Sequence, residues 1–244
     1  MIDTSVNSGS YAKETNTLLY SYLLSLPLLL LYEFLIIISQ PGQNLIVRIS
    51  VDSWIKSLFT SIGLDAFSIT LFIAALAGLG ILYRDRKKLA RLNKRYFLYL
   101  IIESMVYAIL LAFIIFYVVQ SILMLDASMA LSEMSKLQLF ALSLGAGLYE
   151  ELFFRVILIS VLVFLISRVL SKKWLTYLVS ALIAAFLFST VHYIGEFGDP
   201  FTIGSFLFRF LFGLALNGIY VLRGFGTAAW THALYDLLVI FMLS

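Results

Sequence analysis

The sequence predicts an all-α protein, a polytopic bundle of about seven or eight transmembrane helices. Apolar residues make up 62% of the 244 residues and charged residues only 13%, about half the charged share of soluble domains. Mean hydropathy is +1.01, and several apolar runs reach the roughly 20 residues that a spanning helix needs. The chain has no cysteine, which excludes disulfides, thiolate metal sites and a cysteine nucleophile.

The N-terminal half contains three predicted spans. Residues 1–17 are polar and are expected to form a disordered tail, with no cleavable signal ahead of the first apolar run. The N-terminal transmembrane region, residues 18–125, holds spans at 18–39, 64–83 and 96–125. Within residues 54–62 apolar side chains recur at helical spacing beside Asp52 and Lys56. This pattern predicts a short amphipathic helix lying in the membrane interface.

The C-terminal region, residues 137–243, contains four more predicted spans. They cover 137–170, 174–194, 204–222 and 227–243. As a straight helix the first of these would be about 51 Å long, whereas the hydrocarbon core is roughly 30 Å thick. It must therefore tilt strongly, protrude or break, and Gly145 and Gly147 are the predicted breaking points.

The distribution of basic residues predicts a multi-pass protein of the cell membrane with a cytoplasmic N-terminus. With that orientation, twelve Lys and Arg residues fall on the inner side and three on the outer side. Seven of the twelve lie in one loop, residues 84–95. We interpret this loop as a topology signal, so the bilayer is an expected partner and nucleic acid is not.

Three ionisable residues interrupt the fourth span. A charge at that depth costs roughly 2.5–3.5 kcal/mol and usually has a partner and a function. On a helix Glu151 and Arg155 lie four apart on one face and are expected to pair. Glu150 points about 100° away and has no evident partner in the sequence, which suits a carboxyl that exchanges protons with a substrate.

The chain has only two histidines, and both fall in late spans. His232 and Asp236 are four apart, which places imidazole and carboxylate on one helix face. A single membrane histidine is more often a packing or hydrogen-bonding residue. A bundle that brought Glu150, His192 and His232 together would instead offer a general base, a second proton carrier or metal ligand, and donors for an oxyanion.

Three motifs in order carry a family resemblance. They are Glu150-Glu151-x-x-x-Arg155, Phe188-x-x-x-His192 and His232-x-x-x-Asp236. Together they make residues 137–243 similar to the CPBP family of intramembrane proteases, which includes the type II CAAX prenyl endopeptidases and the Abi (bacteriocin self-immunity) proteins. One departure is Val156, where family members often have Gly after the arginine.

The resemblance implies endoproteolysis with an activated water. Glu150 would be the base, and His192 would share in orienting and deprotonating the water. His232 and Asp236 would stabilise the oxyanion or support its donors.

Supporting roles are implied for three further residues. Glu151 and Arg155 would hold the site electrostatically, and Phe188 would line it. The implied substrate is a peptide or a prenylated protein.

The residues are compatible both with a zinc-dependent and with a metal-free reaction. Two histidines and a glutamate (Glu150, His192 and His232) could bind Zn²⁺, and the family is named as metalloproteases. The chain has no His-Glu-x-x-His motif, and the resemblance to archaeal relatives implies a reaction without metal. We favour the metal-free interpretation.

Two alternatives belong to other classes of protein. One is a non-catalytic immunity or peptide-binding protein on a similar scaffold, which would be free to lose Glu150 or a histidine. The other is a proton-coupled transporter, for which an inverted repeat would be expected, and no such repeat is evident. The completeness of all three motifs favours the protease.

The predicted span boundaries place the three candidate catalytic residues at different depths in the membrane, which is a conflict of depth. They place Glu150 in mid-membrane, His192 near the outer end of its span and His232 near the inner end of its own. Groups that share one water must lie at similar depth. The spans are therefore expected to be kinked or offset from one another.

Three more intramembrane charges have simpler interpretations. Glu33 is expected near an interface or satisfied by a neighbouring span. Glu103 is expected to be solvated from the cytoplasm. Arg209 is expected to extend outward along its span, with Asp236 as the alternative partner.

Overall fold

The chain folds as a bundle of helices. A computed structural model describes residues 8–40, 47–63, 66–90, 92–122, 134–195 and 198–243. Within these ranges there are helices and no strands, which confirms the predicted fold class.

All seven predicted spans appear as helical segments. The helices are α1 (Ser8–Thr15), α2 (Leu18–Ile38), α3 (Ser50–Ser61), α4 (Ala66–Arg84), α5 (Arg86–Leu89), α6 (Lys94–Ile122), α7 (Lys136–Gly145), α8 (Ile159–Ile166), α9 (Lys173–Val191), α10 (Ile203–Arg223) and α11 (Phe225–Leu243). Among the described residues, five of them are long and apolar enough to cross a bilayer by length and composition: α2, α6, α9, α10 and α11. The chain is therefore a multi-pass membrane protein.

Part of the predicted polar tail is ordered as α1. The Tyr11 hydroxyl donates a hydrogen bond to Glu103 on α6 (2.8 Å), and Arg223 at the end of α10 also binds that carboxylate (2.8 Å). Glu103 is thus paired inside the protein while 18% of its side chain stays exposed, and its solvation from the cytoplasm remains a prediction. The first seven residues of that tail lie outside the described residues.

The predicted amphipathic helix is present as α3, and its charged side faces inward. Asp52 and Lys56 are buried, whereas Trp54 and Leu58 are 43% and 64% exposed. The reason is that α2 supplies partners for the charges, since Lys56 pairs with Glu33 at 2.6 Å. Glu33 is therefore satisfied by a neighbouring element, as one of its two interpretations expected.

The long fourth span changes its helical geometry where the glycines lie. The α-helix ends at Gly145 and continues as two π-helical segments, Ala146–Glu150 and Leu152–Leu158, before α8. A Cβ at Gly145 would lie 2.4 Å from the Tyr32 ring of α2. The glycine therefore marks a close approach between helices as well as a change of helix type. The fourth span does not break there but continues as π-helix.

The structure brings the three residues of the depth conflict together. His192 directly follows α9, and His232 lies within α11. The Nε2 atoms of both histidines lie within 4.0 Å of Glu150 Oε2. The helices therefore place these three residues at a similar depth, which the predicted span boundaries did not.

Gly147 should tolerate no side chain. An added Cβ would lie 2.4 Å from the Ala229 carbonyl oxygen and 2.7 Å from the Ala233 Cβ. We expect Gly147→Ala to lower the free energy of unfolding by about 1–3 kcal/mol, because two helix backbones must separate. Thermal unfolding in detergent measures this effect. The control is Gly218→Ala on α10, where no atom lies within 4 Å of the added carbon; equal stability of the two variants would contradict the packing argument.

Candidate active site

The site is built around a buried ion pair. Arg155 Nη1 lies 2.8 Å from Glu151 Oε1, and neither side chain is exposed. The guanidinium also lies over the Phe188 ring, 4.7 Å from its centroid, and Nη2 donates to the Gly213 carbonyl (3.4 Å). The predicted pairing of Glu151 with Arg155 is thus present in the structure, and it connects the π-helical region to α9 and α10.

Glu151 has a second partner that the sequence did not reveal. His232 on α11 places Nδ1 2.7 Å from the same oxygen, Oε1. A carboxylate that already binds a guanidinium accepts hydrogen bonds, so Nδ1 carries the hydrogen. This contact orients the ring and leaves Nε2 as the atom that faces the remaining groups of the site.

His192 is oriented in the same way by the main chain. Its Nδ1 lies 2.7 Å from the Phe188 carbonyl oxygen, and because a carbonyl only accepts, Nδ1 again donates. In the neutral ring Nε2 then carries a lone pair. Two different contacts therefore turn the Nε2 atoms of both histidines toward the centre of the site.

Glu150 lies where these two nitrogens converge. Its Oε2 is 3.9 Å from His192 Nε2 and 4.0 Å from His232 Nε2. This oxygen is buried and makes no hydrogen bond within the described part of the chain. A water about 2.8 Å from both Glu150 Oε2 and His192 Nε2 would span such a gap. A water in this position could donate one hydrogen bond to Glu150 Oε2 and one to His192 Nε2.

Asp236 lies at the more open edge of the cluster. Its Oδ2 is 3.6 Å from His232 Nε2, and its side chain is 30% exposed. The predicted placement of His232 and Asp236 on one helix face is found in the structure. His232 consequently lies between two carboxylates, those of Glu151 and Asp236.

Arg209 has a different partner from those expected. It pairs with Asp199 and donates to the Tyr193 hydroxyl (2.8 Å). The Asp199 main-chain N–H in turn donates to the His192 carbonyl oxygen (2.9 Å). Arg209 therefore holds the segment that follows His192, a role that no motif in the sequence indicated.

Aromatic rings enclose the cluster. Phe188 lies 5.0 Å from the His192 ring and 6.0 Å from the His232 ring, centroid to centroid, so it lines the site. Phe212 stands edge-on to His232 at 5.1 Å, and Phe154 to Phe188 at 5.2 Å. The sequence did not predict Phe212 and Phe154 as site residues, because nothing in their positions distinguishes them from the other phenylalanines.

The three candidate zinc ligands do not fit tetrahedral zinc as they are placed. Bonds of about 2.0–2.1 Å at tetrahedral angles hold ligand atoms about 3.3 Å apart. The separations of 3.9 and 4.0 Å measured from Glu150 Oε2 would require ligand–metal–ligand angles of about 145–155° at that bond length, well above the tetrahedral angle. Among the described residues, no group of three His, Cys, Asp or Glu side chains is placed to hold a metal ion.

The structure thus defines a multi-pass membrane protein with a buried cluster of acidic and imidazole side chains between its helices. Residues 132–238 match the family model described as Type II CAAX prenyl endopeptidase Rce1-like. All seven predicted site residues lie within this range, and the match confirms the resemblance to the CPBP intramembrane proteases. The family supports a CAAX-protease-like function in general. No curated protein and no solved structure gives a significant match.

Removing Arg155 should be far more damaging than removing an exposed arginine. Arg155→Met removes the guanidinium from the buried Glu151 carboxylate and leaves it only the His232 contact, so we expect the free energy of unfolding to fall by about 3–5 kcal/mol. Adding Glu151→Gln to this variant should restore part of the loss. Denaturant unfolding in detergent measures both effects. The control is Arg168→Met, which changes an exposed arginine; a similar loss in the control would refute the ion-pair argument.

Proposed function

We propose that the protein is an intramembrane endopeptidase of the CAAX type, in which Glu150 and His192 activate a water. The observation that carries the proposal is the convergence of Glu150 Oε2 with the Nε2 atoms of both histidines, at 3.9 and 4.0 Å. The general family match supports the same reaction class. The substrate class is a peptide bond in a membrane-associated or prenylated protein.

The proposed reaction begins with a water held between Glu150 Oε2 and His192 Nε2. Glu150 accepts a proton as the water oxygen attacks the carbonyl carbon of the peptide. The tetrahedral intermediate collapses, the C–N bond breaks, and the proton passes to the leaving amine. Glu150 returns to its starting state, so the carboxyl acts first as base and then as acid.

His232 would stabilise the oxyanion in this scheme. Its Nδ1 hydrogen is already held by Glu151, so a donor for the oxyanion must come from Nε2. The carboxylates of Glu151 and Asp236 flank the ring, which supports a ring that carries hydrogen on both nitrogens. Asp236 would then balance the charge of the donor, and Arg155 would balance that of Glu151.

Replacing Glu150 should remove activity without unfolding the protein. We expect Glu150→Gln and His192→Ala each to lower kcat for a prenylated CAAX reporter peptide by about 10²–10⁴-fold, since each removes a group that handles the proton. Purified protein in detergent is used, with thermal unfolding as the check on folding. The control is Asp85→Asn, an acidic residue at the basic turn between α4 and α5, bound to Lys88.

Equal turnover by the control and both site variants would exclude these catalytic roles. Failure of the wild-type protein to cleave prenylated and unprenylated reporters would favour the non-catalytic peptide-binding protein instead.

A chelator separates the two chemical versions of the mechanism. Because the Glu150 and histidine atoms are too far apart for tetrahedral zinc, we expect kcat to be unchanged after prolonged incubation with a strong chelator. The measurement is reporter cleavage before and after chelation, with metal content determined in the same samples. Loss of activity that Zn²⁺ restores would overturn the metal-free version and leave the proteolytic function standing.

A further inference from the structure

A second group of buried charges lies outside the segment that matches the family. We define the Glu33 cluster as four side chains joined by ion pairs: Glu33 on α2, Arg48, and Asp52 and Lys56 on α3. Lys56 Nζ lies 2.6 Å from Glu33 and 3.0 Å from Asp52. Arg48 Nη1 lies 3.2 Å from Glu33 and 3.0 Å from Asp52. Two acids and two bases balance in charge, and Glu33, Asp52 and Lys56 are buried.

One tyrosine connects this cluster to the candidate active site. The Tyr149 hydroxyl donates to Glu33 Oε1 at 2.8 Å, and the residue is only 2% exposed. Tyr149 directly precedes Glu150. Successive side chains on a helix point in different directions, so one residue reaches the Glu33 cluster while the next reaches the histidines. A rotation of this π-helical segment would move both side chains together.

Further contacts fix the same segment from the N-terminal half. The Tyr32 hydroxyl donates to Asp52 (2.7 Å), and its ring lies edge-on to Tyr149 at 5.4 Å. The Trp54 ring on α3 is likewise edge-on to the Phe153 ring, with 6.2 Å between the ring centroids. The π-helical region is therefore also held by contacts from α2 and α3.

We propose that Tyr149 is a positioning residue for Glu150, with the Glu33 cluster as its anchor. This inference rests on the proposed function, because it explains how Glu150 Oε2 is kept 3.9–4.0 Å from the two Nε2 atoms. The spacing is sensitive, since a misplacement of about 1 Å can lower a rate about 10²-fold. The N-terminal half of the chain thereby helps to set the geometry of a site whose reacting groups all lie in the C-terminal half.

The alternative is that the cluster only docks α3 against the bundle. The two possibilities differ in what a minimal change at Tyr149 does. Tyr149→Phe keeps the ring and its packing, and removes only the hydroxyl that binds Glu33. A docking role predicts a change in stability alone, whereas positioning predicts a change at the reacting groups.

A matched control exists at the Glu103–Arg223 pair. The Tyr107 hydroxyl donates to Glu103 Oε1 at 2.7 Å, which is the same phenol–carboxylate chemistry beside a basic side chain. We expect Tyr149→Phe to lower kcat about tenfold or more with KM changed less than about twofold, and Tyr107→Phe to leave both unchanged. Thermal unfolding of both variants shows whether either has lost structure. Wild-type kcat in Tyr149→Phe, or an equal loss in Tyr107→Phe, would overturn the proposal.

A spectroscopic measurement tests positioning without relying on activity. The chain has two histidines, so protein labelled only at histidine gives two imidazole resonance sets, both from the site. We expect Tyr149→Phe to shift both sets relative to wild type, as Glu150→Gln should, and Tyr107→Phe to shift neither. If the wild-type protein cleaves no reporter, the proposed function fails while this measurement still decides the positioning. Unchanged resonances in Tyr149→Phe would refute it.

Discussion

One buried oxygen, Oε1 of Glu151, sets the relationship between the helices of the C-terminal half. It lies 2.8 Å from Arg155 Nη1 and 2.7 Å from His232 Nδ1. A carboxylate in an apolar interior is strongly destabilising without compensating partners. The position and rotation of α11 must therefore bring His232 to this oxygen. The Glu151–His232 contact also places the hydrogen on Nδ1. The contact that stabilises the bundle therefore orients the ring so that Nε2 faces Glu150.

The neighbouring carboxyl has the opposite environment. Glu150 follows Tyr149, whose hydroxyl is bound, and precedes Glu151, which is paired, yet its own Oε2 has no hydrogen bond in the described structure. Two adjacent glutamates thus have different surroundings, because successive side chains of a helix point toward different neighbours. π-helical segments are often found at functional sites. Glu151 Oε2 also lacks a hydrogen bond among the described residues, but Glu150 Oε2 is the oxygen that lies within 4.0 Å of both histidine Nε2 atoms and is therefore placed to meet a substrate or a water.

Sequence spacing predicted what lies within one helix and missed most of what lies between helices. The Glu151–Arg155 pair and the shared face of His232 and Asp236 follow from a separation of four residues. The Glu151–His232 contact spans 81 positions, and the Tyr149–Glu33 contact spans 116, so no local period reports them. Hydropathy predicted the order of the helical segments but not their relative depth, which is seen in the contacts of Glu150 with both histidines.

The inward-facing charges of α3 change which basic side chains remain outside ion pairs in the folded protein. Arg48 and Lys56 account for two of the three basic residues on the predicted outer side, and both are ion-paired. On the predicted inner side Arg84, Lys88 and Arg223 are bound to acidic side chains as well. Leaving these five out gives nine basic residues against Lys136 alone. The basic residues outside these pairs are therefore divided more unevenly between the two predicted sides than the composition shows.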